Sequence, residues 1–595
     1  MLTLPNKTVL LLLTTTIPVI QYTASYFSFR SPSRNSARQY ALWQKPAEQN
    51  KEKVSGKLSL IGQWSENFSS DNITKTLFRG IPYTKENDLT LTFAGSLSEN
   101  KSENSFLADY FYLPTDFSSA ATIKPRVKMF VASPAFRINL DAWHQGLYLA
   151  INSSFVHMKT DIHFKETIVQ AGVNNYKQGY FVPDESLKRF RLLENATSYF
   201  NGNSIENDSA TVFEPLKFAQ IPSVQQKHNG VAETYVTFGY DHMFQNKCSI
   251  GIAGHVGLPT GNRVHGKALL EPTVGNGHHW ELGGSINGNY TAWENEEKKQ
   301  TVSFIGDIYI GHLFKCQQTR VFDLLNRPLS RYMLAMVFEP TTLSAQTLET
   351  SSAPGSPTGS VVPYQFAQHY MPLANATALA VDVCASIQTD IVGMIQFKTS
   401  QWSFNIGANV WCKSKDKLSF ATPPTFNIAL KGDAQIYGYI DDSDTPVVLS
   451  ATQSKATTFS GLRFTKSSTP FDISVLQNKA IDNGNFAVVQ DRENFPIAPT
   501  QGLTYEPNVG AQTNTYIYTS NPPIFVTMND LDLETAKTKG CSYKLFYNVQ
   551  HALETTSAWK PIIGIGGEAE WGHRSSTTQS SLSQWSVWAH CSFCY

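Results

Sequence analysis

WSVWAHCSFCY, residues Trp585–Tyr595, is the stretch that ends this chain and decides its predicted fold. Side chains alternate between the two faces of a strand, so Trp585, Phe593 and Tyr595 share one apolar, aromatic face. A soluble protein has little reason to end on such a strand, because chain ends usually fray in water. The last strand of a bacterial outer-membrane β-barrel closes the barrel and faces lipid, so this ending favours a barrel.

The same alternation recurs along the chain. It covers Thr234–Phe244, Cys248–Leu258, Trp280–Thr291, Val302–Gly311, Leu379–Ile387, Trp402–Cys412, Tyr543–Val549 and Ile563–Trp571. Alternation over about ten residues is the weak signature of a strand that crosses a membrane. The pattern predicts an all-β fold, a transmembrane antiparallel β-barrel of about 12–14 strands with long extracellular loops. The strand count should be even, and one strand near residues 57–97 is left unassigned.

The connections between these segments alternate in length. Short ones, such as Gln245–Lys247 and Thr399–Gln401, alternate with long ones, such as His312–Thr377 and Lys413–Gly540. Outer-membrane barrels have short periplasmic turns and long extracellular loops, and a β-sandwich has no rule that forces this alternation. If the C-terminus is periplasmic, every long connection falls outside the cell.

Aromatic residues recur at a spacing that fits the height of a membrane belt. Trp280 and Tyr290 lie ten residues apart on one face, as do Trp585 and Tyr595. Ten tilted residues span about 25 Å, so these residues and Phe593 are predicted to form aromatic girdles at the two interfaces. The alternative is ordinary aromatic packing in a β-core.

The composition excludes some classes of function. The chain has 595 residues, with 48 Lys plus Arg against 48 Asp plus Glu, so no basic surface indicates a nucleic-acid partner. Charged residues are 16% and aromatic residues 12% of the chain, which suits a protein that meets lipid.

The chain divides into three predicted parts. Residues 1–25 read as a signal peptide, because Lys7 precedes the apolar stretch 9–20 and small residues follow it. Residues 26–55, polar and partly basic, are predicted to be a mobile leader. Residues 56–595 are the barrel, with long loops at about 165–230, 314–377 and 413–540. The insertion 413–540 either lies over the mouth or enters the lumen, and the sequence leaves both open.

No catalytic constellation is present in the sequence. It contains no GxSxG, HExxH or P-loop motif, so we expect no enzyme, no metal and no cofactor. The seven cysteines are too sparse for a disulfide scaffold. Cys591 and Cys594 form a CxxC, but positions three apart on a strand face opposite sides, which argues against redox or zinc chemistry.

The polar face of the predicted strands is the candidate functional surface. In a water-filled channel, such residues would stay hydrated and tune the preference for ions or solutes. In a soluble barrel the same residues would be the solvated outer face. The predicted pore-lining residues are Glu281, Asn287, Asp307, Asp382, Gln388, Asn405, Lys544, Asn548, Glu568 and Glu570.

Four stretches of the chain carry a family resemblance. They are LADYFYLPTDF (107–117), GLPTGNR (257–263), VGNGHHWELGG (274–284) and QWSVWAHCSFCY (584–595). They resemble segments of uncharacterised porin-like outer-membrane proteins from obligate intracellular bacteria of the Babela type. The resemblance implies location and architecture, and it carries over no functional residue.

These observations together predict an outer-membrane protein that is exported through a cleaved signal peptide. Its expected partners are outer-membrane lipid, the barrel-assembly machinery and small solutes, and a homo-oligomer stays open. The leading hypothesis is a porin-like channel for passive passage of small solutes or ions. The alternative is a surface adhesin or antigen whose barrel anchors its long loops.

Overall fold

The computed structural model describes most of the chain. The described residues are 26–27, 29–43, 55–78, 89–176, 180–182, 186–208, 211–244, 247–340, 364–432, 437–439, 446–448, 456–461, 524–554, 560–573 and 581–594. The predicted signal peptide, residues 1–25, therefore lies outside the described residues.

Strands dominate the described residues. They are β1 (Gly56–Asn67), β2 (Thr90–Ala94), β3 (Phe106–Leu107), β4 (Ser118–Ile123), β5 (Arg126–Asn139), β6 (Leu147–Asn152), β7 (Phe155–Asp161), β8 (Phe164–Gln170), β9 (Val212–Phe213), β10 (Gln226–Val231), β11 (Thr234–Phe244), β12 (Cys248–Leu258), β13 (Glu281–Asn295), β14 (Gln300–Val321), β15 (Leu334–Pro340), β16 (Tyr364–Pro372), β17 (Ala378–Lys398), β18 (Trp402–Lys413), β19 (Asp416–Ser419), β20 (Ile428–Leu430), β21 (Tyr437–Tyr439), β22 (Pro446–Val448), β23 (Gly540–Ala552), β24 (Lys560–Gly572) and β25 (Gln584–Cys594).

Helices are short. The α-helices are Asp71–Leu77, Ala196–Phe200 and Leu373–Thr377, and the segment Ser36–Trp43 winds with positive φ from residue 36 to residue 42. The 3₁₀ helices are Pro32–Arg34, Ala108–Phe111, Arg189–Arg191, Ser330–Tyr332 and Met528–Asp530. None of the helices in the described parts is long and apolar enough to cross a membrane.

Twelve strands close into an antiparallel barrel, which confirms the predicted fold class and an even strand count. The order around the barrel is β1, β25, β24, β23, β18, β17, β14, β13, β12, β11, β6 and β5. The last strand, β25, pairs with β24 on one side and with β1 on the other, and β1 also pairs with β5. The terminal stretch that indicated a barrel therefore does seal it, between Gln584 and Cys594.

The two ends of the barrel differ in the length of their connections. The turns that follow β5, β11, β13, β17 and β23 are short and lie at the end where β1 begins and β25 finishes. The six longer connections all leave from the other end, so the predicted alternation holds along the whole barrel. Several strands run beyond their predicted bounds: β14 continues to Val321, past the predicted start of its loop, and β17 continues to Lys398.

The longer connections fold together into a cap. They supply two four-stranded sheets, in the orders β3-β2-β4-β8 and β20-β15-β16-β9. One apolar core joins pieces of all of them; it includes Ile73, Phe93, Phe111, Tyr199, Phe213, Leu269, Tyr332, Tyr370, Leu531 and Leu582. Within the insertion 413–540, β20 and the residues around Leu531 join this cap rather than the lumen.

The outer surface of the barrel is apolar. Exposed side chains on the outward face of its strands are Ile250, Ile252, Leu282, Ile286, Ile308, Ile310, Ile391, Ile395, Ile406, Leu545, Ile563, Ile565 and Val587. Soluble proteins rarely expose so large a continuous apolar patch, whereas a barrel in lipid requires one.

Candidate functional site in the barrel lumen

The inward face of the barrel carries nine of the ten predicted pore-lining residues. Eight of them are buried: Glu281, Asp307, Gln388, Asn405, Lys544, Asn548, Glu568 and Glu570. Asn287 also faces inward and is half-buried. The polar face of these strands therefore lies inside the barrel.

Asp382 is the exception, and its assignment to the lumen is corrected. Its neighbours Val381 and Val383 are buried, whereas Asp382 is partly exposed and forms an ion pair with Lys315 at 3.6 Å. Register shifts between β14 and β17 separate it from Gln388. An irregularity of this kind reverses the alternation of side chains. Two even-numbered residues, one before it and one after it, therefore point to opposite faces of the sheet.

The lumen contains the N-terminal segment of the chain. The sequence predicts a mobile leader at 26–55; in the structure, Phe27 and Phe29 lie in the core of the cap, and nearly all of residues 31–42 are buried. The segment continues to Tyr40, which stacks on His590 of β25 with ring centroids 5.0 Å apart. We refer to residues 29–43 as the lumenal segment.

The first charged contact of the lumenal segment is made by Arg30. Its guanidinium lies 2.7 Å from the carboxylate of Asp390 and 3.3 Å from that of Glu570. Lys544 extends the network, because its ammonium group lies 3.0 Å from Glu568 and 3.3 Å from Glu570. The five side chains form one network of alternating charges, which offsets part of the cost of removing each from water.

Arg34 occupies an aromatic cage on the barrel wall. Its guanidinium carbon lies 3.9 Å from the ring centroid of Tyr235 and 3.4 Å from that of Tyr309. One of its nitrogens lies 3.4 Å from Glu281. Both tyrosine hydroxyls donate to the Glu281 carboxylate at 2.6 Å, which fixes the two rings around it. A carboxylate between two aromatic faces is a favourable environment for a flat cation.

Arg38 completes a row of three arginines. It forms an ion pair with Asp307 of β14, and both side chains are buried. Arg30, Arg34 and Arg38 are spaced by four residues, and each meets a different carboxylate of the wall. The sequence contains a signal for this placement. The regular spacing of the three arginines, together with the acidic residues on the polar face of the strands, could have predicted that the segment lies inside the barrel.

The wall by itself is acidic. The inward-facing carboxylates that are buried are Asp241, Glu281, Asp307, Asp390, Glu568 and Glu570, and Asp241 and Asp390 were not among the predicted lumen residues. Two cations of the wall form ion pairs with these carboxylates: Lys544 pairs with Glu568, and Arg137 lies 2.8 Å from Asp241. The three arginines of the lumenal segment therefore balance charge that the wall leaves unpaired.

Glycines make room for the inward-facing aromatic rings. A side chain added at Gly283 would meet the Tyr309 hydroxyl at 2.1 Å, and one added at Gly311 would meet it at 2.0 Å. Tyr148 lies against Gly239 in the same way. Glycine within a strand often marks such a close approach, and here it lets the Tyr309 ring lie beside the wall and beneath Arg34.

Two cavities adjoin the lumenal segment. The larger, about 770 Å³, lies at the end with the short turns and is lined by Tyr40, Lys57, Gln396, Lys398 and His590 among others. The smaller, about 120 Å³, lies beside Arg34 and Arg38, next to Asp241 and His255. The lumenal segment therefore runs from the core of the cap, at Phe29, to the larger cavity, at Tyr40.

Four of the five predicted girdle residues lie at the two ends of the apolar belt. Trp280 and Trp585 are exposed near the capped end, and Tyr290 is exposed near the short turns. Phe593 is half-buried near the short turns, and Tyr595 lies outside the described residues. Trp411, in contrast, faces inward, with the Arg30 guanidinium 5.9 Å from its ring centroid.

The cysteines include one pair that sequence analysis did not identify. Cys412 of β18 and Cys541 of β23 are opposed in register and form a disulfide. Cys591 and Cys594 are free. Among the residues that the structure describes, no group of three or more His, Cys, Asp or Glu side chains could hold a metal ion.

The chain matches no protein-family model and no curated protein. Solved structures similar to it include an outer membrane channel from Pseudomonas putida F1, with 7% identity, coverage of 93% of this chain and 99% of that chain, and a TM-score of 0.30. A Pseudomonas aeruginosa FadL homologue is 6% identical, with coverage of 97% of this chain and 98% of that chain and a TM-score of 0.25. The Ralstonia pickettii toluene transporter TbuX is 7% identical, with coverage of 96% of this chain and 95% of that chain and a TM-score of 0.24. At these TM-scores the likeness carries no argument, and the fold stands on the strand pairings of the chain itself.

Proposed function

We propose that this chain is an outer-membrane channel for small solutes or ions, closed in the described conformation by its lumenal segment. The observation that carries the proposal is the inversion of polarity across one wall. Ile286 faces outward and is exposed, whereas its neighbour Ser285 faces inward and is buried. An apolar exterior around a charged interior fits a barrel that separates lipid from an aqueous path.

Such a path would open when the lumenal segment is displaced from the barrel. The segment is joined to the wall by ion pairs, hydrogen bonds and a small apolar cluster around Tyr40, Phe546 and Trp588, and it adds no strand to the barrel. Its displacement therefore breaks side-chain contacts and leaves the backbone pairing of the wall intact. A segment of this kind can close a channel without being required for the barrel to exist.

The test is conductance of the full chain in planar lipid bilayers. Outer-membrane fractions should contain a heat-modifiable, strand-rich protein, and the purified chain should show rare openings that become frequent in Arg30→Gln. A correctly folded protein that stays silent in both forms would contradict the channel proposal. Arg126→Gln, which removes an exposed arginine at the start of β5, is the matched control.

A second candidate function follows from the cap. All six long connections contribute to one apolar core, and Arg331 within it is fully buried and paired with Asp323 at 2.5 Å. A folded unit of this size is more than a set of loops, which favours a surface adhesin or antigen anchored by the barrel. Binding of the full chain to host surface material, with no conductance in bilayers, would support this alternative over the channel.

A further inference from the structure

We propose that Glu281, Tyr235 and Tyr309 form a binding site for a guanidinium or alkylammonium solute, which Arg34 occupies while the channel is closed. The role of this site in permeation rests on the proposed channel function, whereas the site itself does not. Its ligand class is defined by charge and shape: a cation that fits between two aromatic rings and meets one carboxylate.

The cage is built by the wall and not by its occupant. Tyr235 lies on β11, Glu281 on β13 and Tyr309 on β14, three strands held in register through their backbone pairing. The hydroxyl groups of both tyrosines donate to Glu281, so the rings are positioned by the carboxylate whether or not Arg34 is present. Glu233 places a further carboxylate 3.2 Å from the Tyr235 hydroxyl.

Arg34 fills this cage from a segment that does not belong to the sheet. Nothing in the strand pairing requires a guanidinium at this position, so a solute cation can take its place once the segment moves. Arg34 thus resembles a tethered ligand that competes with a free one. Because tethering gives Arg34 a high effective concentration, a solute must reach a comparable concentration or bind more tightly to displace it.

The cage has acidic neighbours on both sides. Asp307 receives Arg38, and Asp390 receives Arg30, so the positions of the three arginines mark successive cation sites along the lumen. A permeating cation would meet carboxylates in sequence, which is the arrangement that conducts cations in charged pores. We infer a preference for cationic solutes over anionic ones of the same size.

The experiment compares four full-length proteins: the unaltered chain, Arg34→Ala, Arg34→Ala combined with Glu281→Gln, and Arg263→Ala. Arg263 is an exposed arginine of a long connection, so its removal is the matched control. The probes are guanidinium and tetramethylammonium chloride at millimolar concentration, with urea and sodium chloride as reference solutes. The readouts are the thermal unfolding midpoint and calorimetric binding.

Guanidinium should bind to and stabilise Arg34→Ala, and it should leave the unaltered chain and Arg263→Ala unchanged. Loss of the carboxylate in the double variant should weaken that binding by about tenfold or more, because the charge-assisted contact is gone. Should Arg34→Ala fail to fold alone, recovery of the heat-modifiable form during refolding with guanidinium, and not with urea, becomes the readout. Equal responses of Arg34→Ala and Arg263→Ala would overturn the site.

Bilayer recordings separate this inference from the channel proposal. Open Arg34→Ala channels should prefer potassium over chloride and be blocked by guanidinium, and the block should weaken in the double variant. Conductance with no cation preference and no block would refute the cation site and leave the channel standing. Guanidinium binding in solution with no conductance from any variant would leave the site standing and refute the channel.

Discussion

Arg34 and Glu281 form a buried ion pair at 3.4 Å, with side chains that are 6% and 0% exposed. One residue belongs to a segment without strand partners and the other to the barrel wall. Removing two charges from water is costly, and removing one member of such a pair leaves the other uncompensated. This pair therefore links the stability of the folded chain to the position of its N-terminal segment.

Loss of one member of this pair should be strongly destabilising. We expect Arg34→Gln to lower the free energy of unfolding by about 3–5 kcal/mol, the range for breaking a buried ion pair. Combining it with Glu281→Gln should recover part of that loss, because neither charge then remains. Urea unfolding in detergent, followed by tryptophan fluorescence, measures both changes. A loss equal to that of Lys128→Gln, which breaks a partly exposed pair worth at most about 1 kcal/mol, would contradict the prediction.

Substitution of Gly283 should disturb the cage without changing any charge. An added methyl group overlaps the Tyr309 hydroxyl at 2.1 Å, so the ring must move from beneath Arg34. We expect Gly283→Ala to cost about 1–3 kcal/mol, as overpacking usually does. Gly284→Ala is the matched control, since its nearest neighbour would be the Ala253 carbonyl oxygen at 3.6 Å. Equal unfolding midpoints for the two variants would argue against this packing.

A charge on the outer belt should be costly in lipid. Ile286 pairs in register with Ile252 and Ile308, near the middle of the belt. Ile286→Arg should lower stability by about 2–4 kcal/mol in bilayers, and Tyr290→Arg, near the rim, by about 1 kcal/mol or less. Equilibrium folding into vesicles measures both values. An equal and small cost at both positions would mean that this surface does not face lipid.

The cap should become more stable in mild acid through Asp532. Burial raises the pKa of Asp532 to about 6, and the nearby Asp323 carboxylate adds to the shift. The folded protein therefore holds this proton more tightly than the unfolded chain, so stability rises as the pH falls from 7 through 6 and is lost again as the pH rises. The expected gain is about 1–2 kcal/mol, reduced because the carboxyl group is not fully enclosed. Thermal unfolding of Asp532→Asn should lack this gain between pH 7 and pH 5.

The disulfide between Cys412 and Cys541 joins the two strands that flank the long insertion. Alkylation of the unfolded, unreduced chain should modify five of the seven cysteines, and reduction should expose the remaining two to the reagent. Mass spectrometry of peptic fragments identifies the linked pair. Modification of all seven without a reductant would show that the pair is not formed.

The barrel was predictable because its signal is local. A strand in the wall shows its two faces within ten residues, so β11 and β12 were predicted with the bounds they have, Thr234–Phe244 and Cys248–Leu258. The inward direction of Glu281 and Lys544 followed from the same alternation. Where a register shift interrupts the alternation, as before Gln388, the assignment failed at Asp382.

The sequence by itself determined the closed antiparallel barrel, the polarity of its wall and the rhythm of its connections, because these depend on neighbours along the chain. Only the tertiary structure decided that Arg34 reaches Glu281, that the long connections share one core and that Cys412 meets Cys541. Those contacts join residues far apart in the chain. They are stabilised by the pairing of opposite charges and the burial of apolar surface against partners that exist only once the barrel has closed.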